Sequence, residues 1–157
     1  MRILGIDPGL ATTGWAIVDI NGKDYDVVEF GVIETGKGLE LGERLDEIFS
    51  DLKEIIEKFK PEKAAVETLL FCNNAKTAIA VGEARGVLLL CLEQSGLPVE
   101  EFSPLQVKNN ITGFGKADKR QVQECVRLLC GLDVLPRPDD AADAVAVAIS
   151  CQGVEGL

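Results

Sequence analysis

The sequence predicts an α/β protein with a five-stranded mixed sheet and helices on both faces of that sheet. In the first part of the chain, three apolar segments follow one another across short turns, as antiparallel strands do. Further along, short apolar segments alternate with longer ones that have the period of an amphipathic helix, as helix-linked strands do. The length of 157 residues suits one domain of ordinary size.

Turn signals delimit the first three strands. Residues 2–6 form an apolar segment that ends at the turn sequence Asp7-Pro8-Gly9. Residues 13–20 form a second segment, which ends at Asn21-Gly22. Because Asn-Gly between two apolar segments is typical of a tight hairpin, residues 25 to about 35 should form a third, antiparallel strand.

The hydrophobic period then changes. Apolar residues three or four apart predict a first helix over residues 41–59, which Pro61 should end. The remaining elements are predicted at residues 63–67 (strand), about 74–95 (helix), 99–102 (strand), 119–129 (helix, with Gly131 as its C-terminal cap) and 139–150 (helix). The second helix is small or apolar on nearly every face, so a sheet, another helix or a partner subunit should cover it from several sides.

Composition excludes several kinds of site. The net charge of −10 excludes a uniformly basic nucleic-acid binder, although not a local basic face. The absence of histidine excludes Ser-His-Asp triads and zinc sites with histidine ligands. The five cysteines form no CxxC pair, which favours reduced thiols and a cytoplasmic protein with no membrane association.

Four acids stand at special positions in the predicted fold. Asp7 ends the first strand and Glu67 ends the fourth, so the two meet if those strands are neighbours. Asp140 and Asp143 lie three apart near the start of an otherwise apolar last helix, and both should project from one face. Four carboxylates in one pocket favour Mg²⁺, and two such ions suit an in-line phosphoryl displacement.

Simpler roles exist for each acid taken alone. Asp7 is also a common turn residue, and Glu67 suits a solvated strand end. Asp139 and Asp140 suit the cap and dipole of the last helix. Asp143 is harder to explain in this way, because a charge on a buried helix needs a partner or a metal.

Positive charge concentrates in residues 104–120, which have a net charge of +3. Lys108, Lys116, Lys119 and Arg120 surround a loop at residues 112–115, whose glycines let backbone N–H groups approach a phosphate. This segment is the predicted DNA-binding face, and the acidic first helix should face away from it. A plain solvated helix is the alternative for Lys119 and Arg120.

Taken together, these motifs resemble the RuvC family of Holliday junction resolvases. The matching segments are ILGIDPGLATTGWA from residue 3, AVE from 65, ARG from 84, TGFG from 112, KRQV from 119 and DAADA from 140. The resemblance implies a ribonuclease-H-like nuclease domain over residues 1–151, with residues 152–157 as a flexible tail. It also implies Mg²⁺-dependent symmetric nicking of four-way junctions by a homodimer during recombination and repair.

The resemblance implies roles for individual residues. Asp7, Glu67, Asp140 and Asp143 would be catalytic metal ligands for two Mg²⁺ ions, with Mn²⁺ as a substitute. Family members often have an aromatic wedge after the acid at position 67, where this chain has Leu70 and Phe71. Either residue could meet DNA or pack onto the next helix; Asn74 is a further expected DNA contact. A branch-migration helicase complex is an expected partner.

Three rival functions stay open at this stage. An actin-like or sugar-kinase-like ATPase also begins with a strand, an acid and a glycine turn, but it needs two such domains, and this chain has no GxxxxGK[ST] motif. A non-catalytic junction-binding module needs the basic face but not the four acids. Another ribonuclease-H-like nuclease is the nearest alternative.

Overall fold

The computed structural model describes residues 1–69 and 75–151. Within these ranges the elements are β1 (Arg2–Asp7), β2 (Thr12–Asn21), β3 (Asp24–Glu34), α1 (Leu41–Phe59), β4 (Lys63–Glu67), α2 (Ala75–Gln94), β5 (Val99–Phe102), α3 (Pro104–Thr112), α4 (Lys119–Leu129) and α5 (Asp139–Ile149). The five strands form one sheet in the order β3-β2-β1-β4-β5. No helix in the described ranges is both long enough and apolar enough to cross a membrane.

The sheet is mixed, as the sequence predicts. β1 pairs antiparallel with β2 and parallel with β4, and β5 runs parallel to β4. The predicted hairpin is present, since Asn21 pairs with Asp24 and Gly22 has a positive φ of 63°. Because β1 and β4 are parallel neighbours, their carboxyl ends lie side by side at one edge of the sheet.

Helices cover both faces of the sheet. α1 and α2 pack on one face over side chains such as Leu4 and Ile6, while α5, with α3 and α4, packs on the other over Ile3 and Ala16. α5 approaches the sheet closely because its contact surface is alanine and the sheet presents glycine there. A Cβ on Gly5 would lie 2.1 Å from the carbonyl oxygen of Ala144.

Most predicted elements are confirmed, and one helix was missed. The first helix ends at Lys60 in the left-handed conformation, directly before Pro61, and Gly131 follows α4 with a φ of 60°. α3 is not among the helices predicted from the sequence. Its start carries a capping box, in which the Ser103 side chain accepts a hydrogen bond from the backbone N–H of Gln106. Only Val107 and Ile111 of this helix are buried, so its hydrophobic period is too short to be recognised from sequence.

Several predictions lie outside the described residues. Leu70, Phe71 and Asn74 were expected to meet DNA, and they fall in the undescribed stretch 70–74. The tail expected at residues 152–157 and the thiol of Cys72 also lie outside. Among the described residues, Cys91, Cys125, Cys130 and Cys151 are not joined in disulfides.

We expect Gly5→Ala to destabilise the protein more than a similar change elsewhere. The added methyl would collide with Ala144 O at 2.1 Å and with the Ala148 Cβ at 2.8 Å, both on α5. Overpacking of this kind costs about 1–3 kcal/mol in the free energy of unfolding. Urea denaturation measures it.

Gly42→Ala is the matched control, because a Cβ on Gly42 in α1 would meet no atom within 4 Å. Alanine is the better helix former by about 0.8–1 kcal/mol, so this variant should be as stable as the wild type or more stable. Equal free energies of unfolding for the two variants would show that α5 can move away from β1 at little cost.

Candidate active site

The ends of β1 and β4 bring two of the predicted acids together. β1 and β4 pair from Ile3–Lys63 to Ile6–Val66, so Asp7 and Glu67 follow directly at the same edge of the sheet. Both side chains are half-buried. Asp7 and Glu67 are therefore neighbours, as the sequence predicts for the case in which β1 and β4 pair.

The start of α5 reaches the same edge because of a second glycine. Gly14 of β2 pairs with Asp7, and a Cβ on Gly14 would lie 1.9 Å from the carbonyl oxygen of Asp140. The backbone of α5 thus rests directly on the strand beside Asp7. This contact positions Asp140 and Asp143 next to the strand ends.

Three of the four acids line two cavities. Glu67 and Asp143 line a cavity of about 240 Å³ together with Lys108 and Lys119; we call it the catalytic cavity. Asp140 lines a second cavity on another side. Among the described residues, no three His, Cys, Asp or Glu side chains are grouped closely enough to bind one metal ion. That all four acids share one metal site stays a prediction.

Lys119 supplies positive charge at the start of α5. Its Nζ lies 3.2 Å from Asp143 Oδ2 and 3.6 Å from Asp139 Oδ2. Asp139 also binds Arg137, at 2.8 Å, and the N-cap position of α5 is Pro138 rather than an acid. Asp143 therefore has the partner that a charge on a buried helix requires.

Burial and like charge disfavour the ionised form of these acids. Burial, followed by the charges of Glu67, Asp143 and Asp140, raises the pKa of Asp7 from 3.8 to about 8. Burial and Asp143 raise the pKa of Glu67 to about 7, against the opposing effect of Lys108 and Lys119. The pKa of Asp143 is also raised, chiefly by burial. All four acids are therefore coupled electrostatically to one another, through Asp7.

This donor set fits a hard divalent cation. The carboxylates offer only oxygen, the ligand type that Mg²⁺ prefers, and the chain has no histidine to compete. Their raised pKa values show that extra positive charge at this edge would be stabilising.

The predicted basic residues lie on the same side of the sheet as the acids. Lys108 and Lys119 line the catalytic cavity, while Lys116 and Arg120 are solvent-exposed beside it. The loop after α3 is well defined: Gly113 has a φ of 71°, and the backbone N–H of Phe114 donates to Thr112 Oγ1 at 3.1 Å. The acidic helix α1 packs on the opposite face, as expected.

Sequence reasoning missed a polar network that holds the turn after β1. Arg44 Nε donates to Thr35 Oγ1 at 2.8 Å, and that hydroxyl donates to the carbonyl of Leu10 at 2.6 Å. Thr13 Oγ1 likewise donates to the carbonyl of Gly9 at 2.6 Å. No local spacing signals the network, because its members come from α1, β2, the turn after β1 and the residue that follows β3.

Comparisons with known proteins agree with the resemblance. The family model "Crossover junction endodeoxyribonuclease RuvC" matches residues 3–151. A protein of that name from Chloroflexus aurantiacus is 53% identical, with 95% of this chain and 91% of the relative covered. Another, from Thermosipho melanesiensis, is 49% identical, with 99% and 98% covered.

A solved structure shows the same fold. Thermus thermophilus RuvC in complex with a Holliday junction substrate aligns with a TM-score of 0.91 at 34% identity. The alignment covers 96% of this chain and 92% of the other. The ribonuclease-H-like α/β fold expected from the sequence is confirmed.

We expect Asp7→Asn to stabilise the metal-free protein increasingly as pH rises. With a folded-state pKa of about 8 against an ordinary 3.8, the folded state holds this proton more tightly than the unfolded state. The protonated carboxyl's contribution is complete below about pH 4 and is lost as pH rises towards 8. Asparagine does not ionise, so the variant's advantage should grow by up to about 1.4 kcal/mol per pH unit.

The measurement is urea denaturation in a chelating buffer at several pH values between 5 and 8. Asp51→Asn changes an exposed acid on α1 and is the matched control; its stability profile should run parallel to that of the wild type. A constant difference between Asp7→Asn and the wild type would contradict the prediction.

Proposed function

This chain belongs to the crossover junction endodeoxyribonuclease RuvC family, and we propose that Asp7, Glu67, Asp140 and Asp143 form the centre at which it cleaves four-way DNA junctions. One observation carries the assignment of the centre: α5 packs closely on the glycines of β1 and β2, and its first turn then lies next to the acids that end β1 and β4. Acidic ligands next to phosphate-binding cations are what phosphodiester hydrolysis requires.

The four carboxylates would hold Mg²⁺, two ions per site, with Mn²⁺ as a substitute. Bound there, such ions stabilise charge that develops on the attacking and leaving oxygens of an in-line displacement. The carboxylates are partly shielded from water, so each interacts strongly with the cation that it holds.

Lys108 and Lys119 have a separate task in this proposal. Both line the catalytic cavity and carry ammonium groups that can bind the oxygens of the strand to be cut. Lys116 and Arg120 extend the positive surface along the adjoining duplex. Asp143 positions Lys119 through the contact of 3.2 Å.

We also infer a homodimer that uses α2. Its buried side packs on α1 and the sheet, yet Ile79 and Leu90 on another side are 64% and 52% exposed. Gly86, between them, has open space around its missing Cβ. Exposed apolar residues on one helix face favour a partner surface, and a twofold pair matches a substrate with approximate twofold symmetry.

Other expectations stay predictions. A base wedge at Leu70 or Phe71 and a DNA contact at Asn74 fall outside the described residues. We further propose a branch-migration helicase complex as a partner, a cytoplasmic location and a single domain over residues 1–151.

Asp7→Asn and Glu67→Gln should abolish cleavage of a synthetic four-way junction while leaving binding intact. Loss of one ligand removes several kcal/mol of transition-state stabilisation, which corresponds to a rate loss of about a thousandfold or more. Binding should persist because neutralising an acid reduces repulsion of phosphates. Single-turnover cleavage with Mg²⁺ and gel-shift affinity without it provide the two readouts.

Asp139→Asn is a demanding control, because Asp139 also sits at the start of α5 and contacts Lys119. It should retain most of the activity. Normal turnover by Asp7→Asn or Glu67→Gln would refute the metal-ligand assignment.

Ile79→Glu and Leu90→Glu should each shift the protein from dimer to monomer, because a carboxylate buried in an apolar interface is strongly unfavourable. Sedimentation equilibrium measures the dissociation constant. Leu128→Glu is the matched control, since Leu128 on α4 is 63% exposed. An unchanged dimer in both α2 variants would place the interface elsewhere.

A further inference from the structure

The second cavity, which Asp140 lines, has a volume of about 540 Å³. Its walls are the turn at residues 9–12, Arg44 of α1, and Lys76 and Thr77 at the start of α2. It thus places two basic side chains and a hydroxyl beside one of the catalytic acids. We call it the Arg44 cavity.

Among the described residues, two arginines form no ion pair with a carboxylate: the solvent-exposed Arg120 and the half-buried Arg44. Arg2, Arg85, Arg127 and Arg137 each form an ion pair with a carboxylate. Arg44 is half-buried and makes no such pair with any described residue, although the chain has a net charge of −10. Its side-chain hydrogen bond within the described residues uses Nε, which donates to Thr35 Oγ1.

A half-buried guanidinium without a carboxylate is well placed to bind an anion. The bond from Nε to Thr35 fixes the plane of the group and leaves the two terminal nitrogens to bind a ligand in the cavity. A planar fork of this kind suits two oxygens of one phosphate. Asp140 beside it disfavours an isolated anion, so the expected ligand is one phosphate of a strand that other basic residues also hold.

We propose that the Arg44 cavity binds a phosphodiester of the junction strand. This phosphodiester would be the neighbour, along the same strand, of the one that the catalytic cavity binds. The inference rests on the proposed function and adds a binding site to it. A strand that crosses Asp140 would then be held on one side by Lys108 and Lys119 and on the other by Arg44. Two anchors fix the direction of the strand across the acids, which a single anchor does not.

Arg44 could instead serve only to hold the turn after β1. Thr35 separates the two roles, since its hydroxyl accepts from Arg44 and donates to Leu10. Thr35→Val breaks both hydrogen bonds but leaves the guanidinium charge in place. A purely structural role predicts the same defect in Thr35→Val as in Arg44→Gln.

The experiment measures the affinity of the full-length protein for a synthetic four-way junction without divalent metal over a series of salt concentrations. Arg44→Gln should weaken binding roughly tenfold, as expected for a charged hydrogen bond. It should also lower the slope of log affinity against log salt by about one unit, because one phosphate contact is lost. Arg44→Lys should keep the wild-type slope.

Two further variants control for charge and folding. Lys23→Gln removes an exposed cation at the distant β2–β3 turn and should change neither affinity nor slope. Lys76→Gln removes the charge of an exposed residue that lines the same cavity, and it should also lower the slope. It provides a second test if Arg44→Gln does not fold. Thr35→Val should retain the wild-type slope.

Three outcomes would overturn the inference. The first is a wild-type slope in both Arg44→Gln and Lys76→Gln. The second is a loss of slope in Thr35→Val as large as that in Arg44→Gln. The third is calorimetric binding of inorganic phosphate that depends on Arg44 while the slope for the junction does not. Failure of the proposed function is distinct, because the wild type would then neither bind nor cut the junction.

Discussion

The site depends on how closely the backbone of α5 lies against β1 and β2. Gly5 and Gly14 face this helix, and any side chain at either position would overlap a carbonyl oxygen of α5. Alanine on the helix and glycine on the strands bring the two backbones together, and the helix start then reaches the end of β1. Acids far apart in sequence become neighbours through this contact, so the packing of the core sets the geometry of the chemistry.

That geometry concentrates like charge at one sheet edge, which opposes folding. The raised pKa values of Asp7 and Glu67 express this cost, and Lys119 offsets part of it through Asp143. A centre of this kind binds cations because it is electrostatically unfavourable without them. Stability and affinity for metal are thus opposed at the same residues, as is common where function requires strained or unbalanced charge.

Sequence reasoning succeeds where the determining signals are local. The Asn21-Gly22 turn, the period of α1 and the alternation of the remaining elements all lie within short windows, and the structure confirms the elements they predict. Long-range placement was harder to infer: the approach of Asp140 to the end of β1 depends on the packing of α5 against Gly14 of β2. The partners of Arg44 come from separate elements, so no spacing along the chain could predict them.

An acidic protein can hold DNA if its two faces differ. The sheet separates α1, which carries much of the negative charge, from α3 and α4, which carry Lys108 and Lys119. Screening in physiological salt limits exposed charges to about 8 Å, so the acids beyond the sheet contribute little at the catalytic cavity. Local cations then govern the encounter with phosphate, while the negative bulk of the protein weakens contacts elsewhere. The negative net charge therefore disfavours DNA contacts over most of the surface, and the sheet keeps the basic face apart from the acidic one.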